Sequence, residues 1–552
     1  MLNLKCYERC EIEVENGVTE VVITDDNKNE MHFLPFLYQP ISVSYDEEGI
    51  ETIKKDGAPV LKVRFTLKNE GNYTLKEIYD GKTEKETLKI CVSGYENNGY
   101  VCAGKDDKRY FEYSNGKSFF AVGINLTYPI SYESSDGTEF GTTSQKKYIG
   151  LNQYERWIKR CSENGVNLIR LWVGHNYFSP DTLNVYEFNY EKFSILDKVI
   201  DIAKKYNVKL KLTLEQYRYF AYGKDSGPSP ENFKKQLWIG DEKCNSIKTW
   251  LTSEKWKNAW LNKVLEFSKR YSGDTEIFAI ELWNEMNCCG DGYLEWNKEM
   301  LPKVKALFKD NMVVNSLGSL DSEKNIERYK NFCWDKCDFK QVHKYLDQGA
   351  KLSDSRNNLI EVAKSGIEYI KSENQPAFLA ETGAVNNCHS GPFKYYHADD
   401  RGIIFVDSVY TPLFAGAAGS GNIWHWDGRY VEGKNLYKYF KPLSDLICGV
   451  DFARENFSCC DLSDSDVYLL CLKGKNVTLG FIRNKTDNWK NTLRDMNEPT
   501  VISEKSYKTD GKYLKLFPIW ADDTTSAILK NGEITFKNIR YGTLFKINNT
   551  NG

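Results

Sequence analysis

The order of apolar and polar positions divides this chain into three stretches. Residues 1–104 carry short runs of strand length, among them Ile12-Glu13-Val14, Val21–Ile23, Val60–Phe65 and Tyr73–Ile78, separated by Asn-Gly, Asp-Gly and Glu-Gly turns. Runs of this kind, half-buried between face-packed sheets, predict an immunoglobulin-sized β-sandwich, and no acid, base or metal cluster stands out within it. Over 105–448 the rhythm becomes apolar strand, loop and amphipathic helix, repeated. The strands are predicted at Phe119–Asn125, Asn167–Trp172, Val208–Glu215, Ile277–Glu285, Met312–Ser316, Phe339–Tyr345, Pro376–Gly383 and Gly421–Asp427. Eight such units match an α/β fold, a (β/α)8 TIM barrel with insertions. The runner-up, a doubly wound open sheet, would carry a Gly-rich phosphate fingerprint after strand one, and none is there. Residues 449–552 return to β-rich runs at Val467–Cys471, Val477–Ile482, Ile534–Phe536 and Leu544–Ile547, which predict a second β-sandwich. Within it Trp489 and Trp520 are candidate faces for stacking on sugars, with burial in a core the plainer expectation.

Alternation along the barrel strands sorts their side chains. Lys211, Thr213 and Glu215 oppose Leu210, Leu212 and Leu214 on strand three, while Ala279, Glu281, Trp283 and Glu285 share one face of strand four. The apolar set is expected to face the outer helices and the polar set the barrel interior. Lys211 and Glu281 are expected to meet there, because a lone buried charge is costly.

Composition narrows the partners. With 74 basic against 77 acidic residues and a net charge of -3, the chain has neither the basic footprint of nucleic-acid binding nor a strongly anionic surface. No apolar run is long enough to span a bilayer, and the first ten residues lack the apolar core of a secretory leader, so a cytoplasmic location is expected unless a leader was trimmed. The 15 cysteines are odd in number and scattered, with direct neighbours at Cys288-Cys289 and Cys459-Cys460, and read as reduced thiols. Cys333-x-x-x-Cys337 and Cys388-His389 could ligate a metal, but no second pair completes a zinc spacing. No metal and no cofactor are expected. An oligomeric state is not legible. Aromatic residues at 14% suit the faces of sugar rings as well as large cores.

The chemistry converges on two carboxylates. In a barrel the ends of strands carry the reacting groups, and Glu285 ends strand four while Glu381 ends strand seven, across one mouth. Glycoside hydrolysis needs such a pair, one acid to protonate the leaving oxygen and one carboxylate to attack or to activate water. Asn284-Glu285, Glu381, Arg170 in strand two, His343-x-Tyr345 in strand six and a tryptophan in strand eight together resemble clan A of the glycoside hydrolases, and family 5, the cellulase and mannanase family, most of all. The likeness spans five strands. A looser one links the flanking β modules to bacterial family 5-like proteins with a barrel between two β domains.

That resemblance implies a retaining mechanism with Glu285 as acid/base, Glu381 as nucleophile and Asn284 as donor to the sugar 2-hydroxyl. Arg170 and Tyr345 would hydrogen-bond Glu381, and His343 would lie on the acid/base side. Trp424 or Trp426 would form the platform beneath the sugar, with Trp424 favoured. Tyr217, in the long 216–251 segment, is a further stacking candidate, and His389 and His397 either line a subsite or lie on the surface. The chain departs from the family at strand three, where a histidine is usual and Glu215-Gln216-Tyr217 stands instead. His175, after strand two, is a candidate to reach the same ring hydroxyls. The reading is a retaining hydrolase of a β-linked gluco- or manno-configured oligo- or polysaccharide; the alternative is a non-catalytic carbohydrate-binding protein on a glycosidase barrel.

Overall fold

The apolar runs of the middle stretch become eight positions around one barrel. The computed structural model describes residues 1–81, 83–129, 148–217, 237–387, 389 and 391–548. Strands β1 (Gly123–Asn125), β2 (Leu168–Trp172), β3 (Lys209–Gln216), β4 (Ile277–Asn284) and β5 (Met312–Val314) pair in that order, all parallel. A second parallel pair is β6 (Lys340–His343) and β7 (Ala377–Glu381). The two arcs meet where the Asp338 N–H donates to Val313 O (2.9 Å) and Gln341 Nε2 to Asn315 O (3.1 Å).

The helices alternate with these strands, as the periodicity predicts: α1 (Leu151–Glu163), α2 (Tyr190–Lys205), α3 (Glu254–Tyr271), α4 (Tyr293–Leu307), α5 (Glu323–Asn331), α6 (Leu359–Ile370), α7 (Ile403–Phe414) and α8 (Phe440–Ile447). Tyr154, Trp157, Ile158 and Cys161 form the buried face of α1. Every residue of α7 is buried, because this helix is covered on both sides, by the barrel and by the C-terminal sheet.

The strand expected over 421–427 is a correction: the eighth position is an extended segment held by single contacts. A bridge joins Thr382 to Ile423, Asn422 N–H donates to Leu379 O (3.0 Å), and Ser420 N–H donates to Ala121 O (2.8 Å), which closes the ring onto β1. Glycine makes the approach possible, since a Cβ on Gly421 would stand 2.2 Å from the Ser408 carbonyl of α7. The first expected strand is also divided. Ser118–Phe119 folds back antiparallel on Phe111–Tyr113, and only Gly123–Asn125 enters the barrel. Phe111 and Phe119 of this lead-in pack against Phe278 at the barrel floor, with centroids 5.2 and 5.8 Å away.

Both flanks are β structure. In the N-terminal one, the five-stranded sheet Leu2–Cys6, Thr83–Tyr95, Gly71–Tyr79, Val18–Asp25 and Glu30–Phe33 packs on Arg9–Glu13, Val60–Thr66 and Phe36–Tyr38 around Val21, Ile23, Val63, Phe65 and Leu75. A hairpin, Ile41–Tyr45 with Glu51–Lys55, reaches the barrel, where Glu51 Oε2 accepts from the Leu151 N–H (2.7 Å) and so caps α1. In the C-terminal flank, Ser458–Asp461, Val467–Lys473, Val477–Asn484, Gly542–Asn548 and Tyr513–Pro518 form one sheet and Ile502–Lys508, Glu533–Ile539 and Ser526–Lys530 the other. Val467, Leu469 and Cys471 face the sandwich core, whereas Leu470 and Leu472 join the barrel core, so this strand is buried on both sides. Trp489 and Trp520 are bolts between the two units, not stacking faces: their Nε1 atoms donate to Asn357 O (3.0 Å) and Arg401 O (2.8 Å), and both rings are buried. Within the 216–251 segment, Trp238–Ile239 pairs with Glu242–Lys243 and Ile247–Thr252 forms a short helix; residues 218–236 lie outside the described residues. No helix among the described residues is long and apolar enough to cross a membrane.

Candidate active site

At the carboxyl ends of the strands one arginine organises the interior. Arg170 on β2 is fully buried; its Nε and Nη2 donate to the two oxygens of Glu281 (2.7 and 2.8 Å), and Nη1 donates to Glu381 Oε1. Nη2 also donates to Asn284 Oδ1 (2.6 Å), which leaves the amide NH2 of Asn284 as its outward end. Lys211 lies 3.3 Å from Glu281 Oε2 and donates to Gln341 Oε1 (2.6 Å), so the expected buried pair forms, as the lower part of a larger network. Burial pushes the Glu281 carboxyl up, but Arg170 and Lys211 outweigh it and hold it well below the usual range. Burial also brings the Lys211 ammonium down to about 8 against the pull of Glu281. Glu281 is thus a permanent anion that positions Arg170.

Glu381, at the end of β7, accepts on its other oxygen from the Tyr345 hydroxyl (2.6 Å). Glu285 follows β4. His343 Nδ1 lies 2.9 Å from Glu285 Oε1 and 3.4 Å from Glu381 Oε2, standing between the two acids. One oxygen of each carboxylate and the His343 nitrogen all lie within 4.8 Å of one another. Burial drives the imidazolium of His343 down to about 4, against the attraction of Glu381, so at neutral pH the ring is uncharged and Nδ1–H donates. The side chain of Glu285 is 13% exposed against 4% for Glu381, so the pair is unequal in access as well as in partners.

Alternation along β3 and β4 does not run to their ends. Glu215, expected inside, pairs instead with Lys263 of α3 (2.7 Å), and its register partner Trp283 packs edge-on to Trp296 of α4 at 5.8 Å. Glu285 does not share the face of Glu281 by pleating, because the strand stops at Asn284 and Glu285 has φ +51°. Its place is set by neighbours: Ser316 Oγ accepts the Glu285 N–H (3.0 Å) and Asn315 Oδ1 the Trp283 N–H (2.7 Å). Neither residue had been singled out, although both lie in the segment read as strand five. Asn125 is a further support, its Nδ2 donating to the carbonyls of Ala380, Asn422 and Ile423 (3.0 to 3.2 Å) and its Oδ1 accepting from Arg170 (3.3 Å). Tyr329 takes the His343 N–H on its hydroxyl (3.1 Å).

The remaining expected residues divide. Trp424 is half-buried, 5.0 Å from Trp172, and can present a face to the mouth. Trp426 is fully buried between Trp424 and Tyr128, so it has no face to offer a sugar. The His175 ring stacks on Tyr128 at 4.4 Å and its Nδ1 accepts the Tyr177 N–H (3.2 Å), at 2% exposure. Tyr217 is half-buried directly after β3. His389 pairs with Asp347, with Asp321 at 3.7 Å, and is half-exposed; Cys388 lies outside the described residues. Those three side chains could offer ligands to a cation. Cys333 and Cys337 are free thiols, and burial pushes the Cys333 thiol up to about 11, which disfavours the thiolate a metal needs.

Comparison with known proteins bears on this arrangement. The family model Cellulase (glycosyl hydrolase family 5) matches residues 133–402. A probable mannan endo-1,4-beta-mannosidase F of Aspergillus flavus is 24% identical over 381 residues, covering 59% of this chain and 74% of that protein. Mannan endo-1,4-beta-mannosidase 8 of Oryza sativa subsp. japonica is 26% identical over 215 residues, 35% of this chain and 51% of its own length. A crystal structure from Bacteroides vulgatus, of a protein assigned as a glycoside hydrolase, superposes with TM-score 0.58 at 12% identity over 99% of this chain and 100% of its own. The last likeness concerns the fold, flanking β domains included.

Proposed function

We propose that this chain is a member of glycoside hydrolase family 5, in clan A, and a retaining β-glycosidase acting on a β-linked manno- or gluco-configured oligo- or polysaccharide. The observation that carries the reading is the unequal setting of two carboxylates whose oxygens approach within 4.8 Å. Retaining enzymes hold their carboxyl groups about 5 to 5.5 Å apart, whereas inverting ones leave room for a water, at about 6.5 to 9.5 Å.

Glu381 is the nucleophile. Arg170 and Tyr345 donate to its two oxygens and hold it at the strand end, where it can attack the anomeric carbon. Glu285 is the acid/base, the more open of the two, steadied by the neutral His343. It gives its proton to the leaving oxygen as the bond to Glu381 forms, then takes one from the water that releases the sugar. Asn284 aims its NH2 at the 2-hydroxyl, and Trp424 lies beneath the ring. The mannan endo-1,4-beta-mannosidase relatives favour a manno-configured substrate.

A panel of aryl β-glycosides and β-1,4-linked oligosaccharides tests this, with proton NMR following the first-formed anomer. The β-anomer should appear first. Glu381→Gln should abolish turnover, while Glu285→Gln should spare only substrates with strongly activated leaving groups, which need no proton. Activity surviving both substitutions, or an α-anomer formed first, would sink the reading.

A further inference from the structure

Beside Arg170 the barrel interior holds another buried cation. Parallel pairing of β2 with β3 sets Lys211 next to Arg170, and neither side chain has any exposure. Like charges on neighbouring strands repel, and Glu281 of β4 comes between them, its Oε2 lying 2.7 Å from Arg170 Nε and 3.3 Å from Lys211 Nζ. Lys211 also meets Gln341 of β6, whose Oε1 accepts from it (2.6 Å), and the Phe378 ring of β7, centred 5.4 Å away. Glu381 of β7 and His343 of β6 are the further titratable groups that feel its charge. With His343 neutral and Glu285 carrying the proton it is to give, the charges balance: Glu281 and Glu381 against Arg170 and Lys211. The guanidinium is unevenly shared, since Arg170 donates to both oxygens of Glu281 and to one of Glu381.

We propose that Lys211 is a positioning residue for the nucleophile: its ammonium answers the charge of Glu281, so that Arg170 can give its own to Glu381. The inference rests on the reading of Glu381 as the nucleophile of a glycosidase. Without Lys211 two buried anions would divide one guanidinium, and the bidentate partner, Glu281, would take the larger share. An uncompensated negative charge in a buried site favours proton uptake by a carboxylate nearby, and a protonated carboxyl cannot attack. Burial lowers the Lys211 ammonium to about 8, against the pull of Glu281, so it stays charged through the neutral and acid range in which the nucleophile must be an anion.

The test follows kcat/KM against pH on an aryl β-glycoside with a strongly activated leaving group, whose cleavage needs an ionised nucleophile but no proton. Wild type is compared with Lys211→Met, Glu281→Gln and the double variant. Lys211→Met should move the acid limb of the profile up by about one pH unit, so that activity falls about tenfold on the acid side and recovers as pH rises. Glu281→Gln removes an anion and should move the limb down. The double variant restores the balance, Arg170 against Glu381, and its limb should return to the wild-type position. A residue needed only for packing would lower activity by one factor at every pH. That outcome, or a double variant that keeps the displacement of Lys211→Met, would overturn the inference while leaving the glycosidase reading intact. Should Lys211→Met not fold, Lys211→Gln, which keeps a donor toward Gln341, supports the same comparison. A wild type inert toward every β-glycoside would instead remove the reading, and the inference with it.

Discussion

Of the three arginines that lie fully buried among the described residues, Arg170, Arg270 and Arg483, the first and the last each grip two carboxylates. Arg170 holds Glu281 and Glu381 inside the barrel, while Arg483 holds Asp407 of α7 (2.9 Å) and Asp487 (2.6 Å) where the C-terminal sandwich meets the barrel. Around Arg483 the partners lead back into the fold: Arg401 and Thr492 also bind Asp487, and the same guanidinium donates to Tyr541 O (2.8 Å). Around Arg170 they lead outward. Glu381 passes to Tyr345 and His343, and His343 to Glu285, whose side chain meets solvent at the mouth. A buried arginine with two acids therefore marks a constraint. It marks chemistry only where the partners run on to a group that a substrate can reach.

Replacing each arginine by methionine should separate the two. Arg170→Met leaves Glu281 unpaired and Glu381 without its cation, and kcat should fall by about 10³-fold or more, with folding stability down by about 3–5 kcal/mol. Arg483→Met should cost about as much stability, about 3–5 kcal/mol by denaturant unfolding, yet leave kcat within about twofold. A large kcat loss from the second substitution would break the distinction.

Acid should act through the barrel cluster. His343 is buried neutral, its folded value near 4 against 6.5 when free. Above pH 6.5 it is uncharged in both states; below, the unfolded chain takes up a proton that the folded site refuses. Stability is thus lost as pH falls from 6.5 toward 4, by about 3 kcal/mol for this one group. The difference in unfolding free energy between wild type and His343→Gln should show that slope, and parallel curves would contradict it. The smallest effect belongs to the other interface, where Trp489→Phe removes one hydrogen bond to Asn357 O and should lower stability by about 1 kcal/mol, with no change in kcat.

Much of this was legible in the residues themselves. Strand-length apolar runs ending in Asn284-Glu285 and Glu381 predict the barrel and its acid pair, because side chains with one period and one solvent can fold in few ways. The sandwich runs likewise need little beyond alternation. Where alternation was carried too far it misplaced residues. Glu215 and Trp283 turn to the helices, and Glu285 leaves the strand through a left-handed residue, since the pleat breaks near the strand ends and local periodicity cannot register the break. Alternation separates Trp424 and Trp426 from His425 but not from each other, so a preference for Trp424 has little to rest on in the sequence. Packing against Tyr128 and Trp424 buries Trp426 fully and leaves Trp424 half-open, and His175 stacks on the same Tyr128 ring.

Periodicity and the chemistry of single positions carry most of the elements, their sequence along the chain and the residue types that end the barrel strands, but not the broken first and eighth positions. Only the folded chain shows which acids share an arginine and which histidine stands between two carboxylates. Those depend on distances between residues far apart in the chain, and on burial that no local pattern encodes.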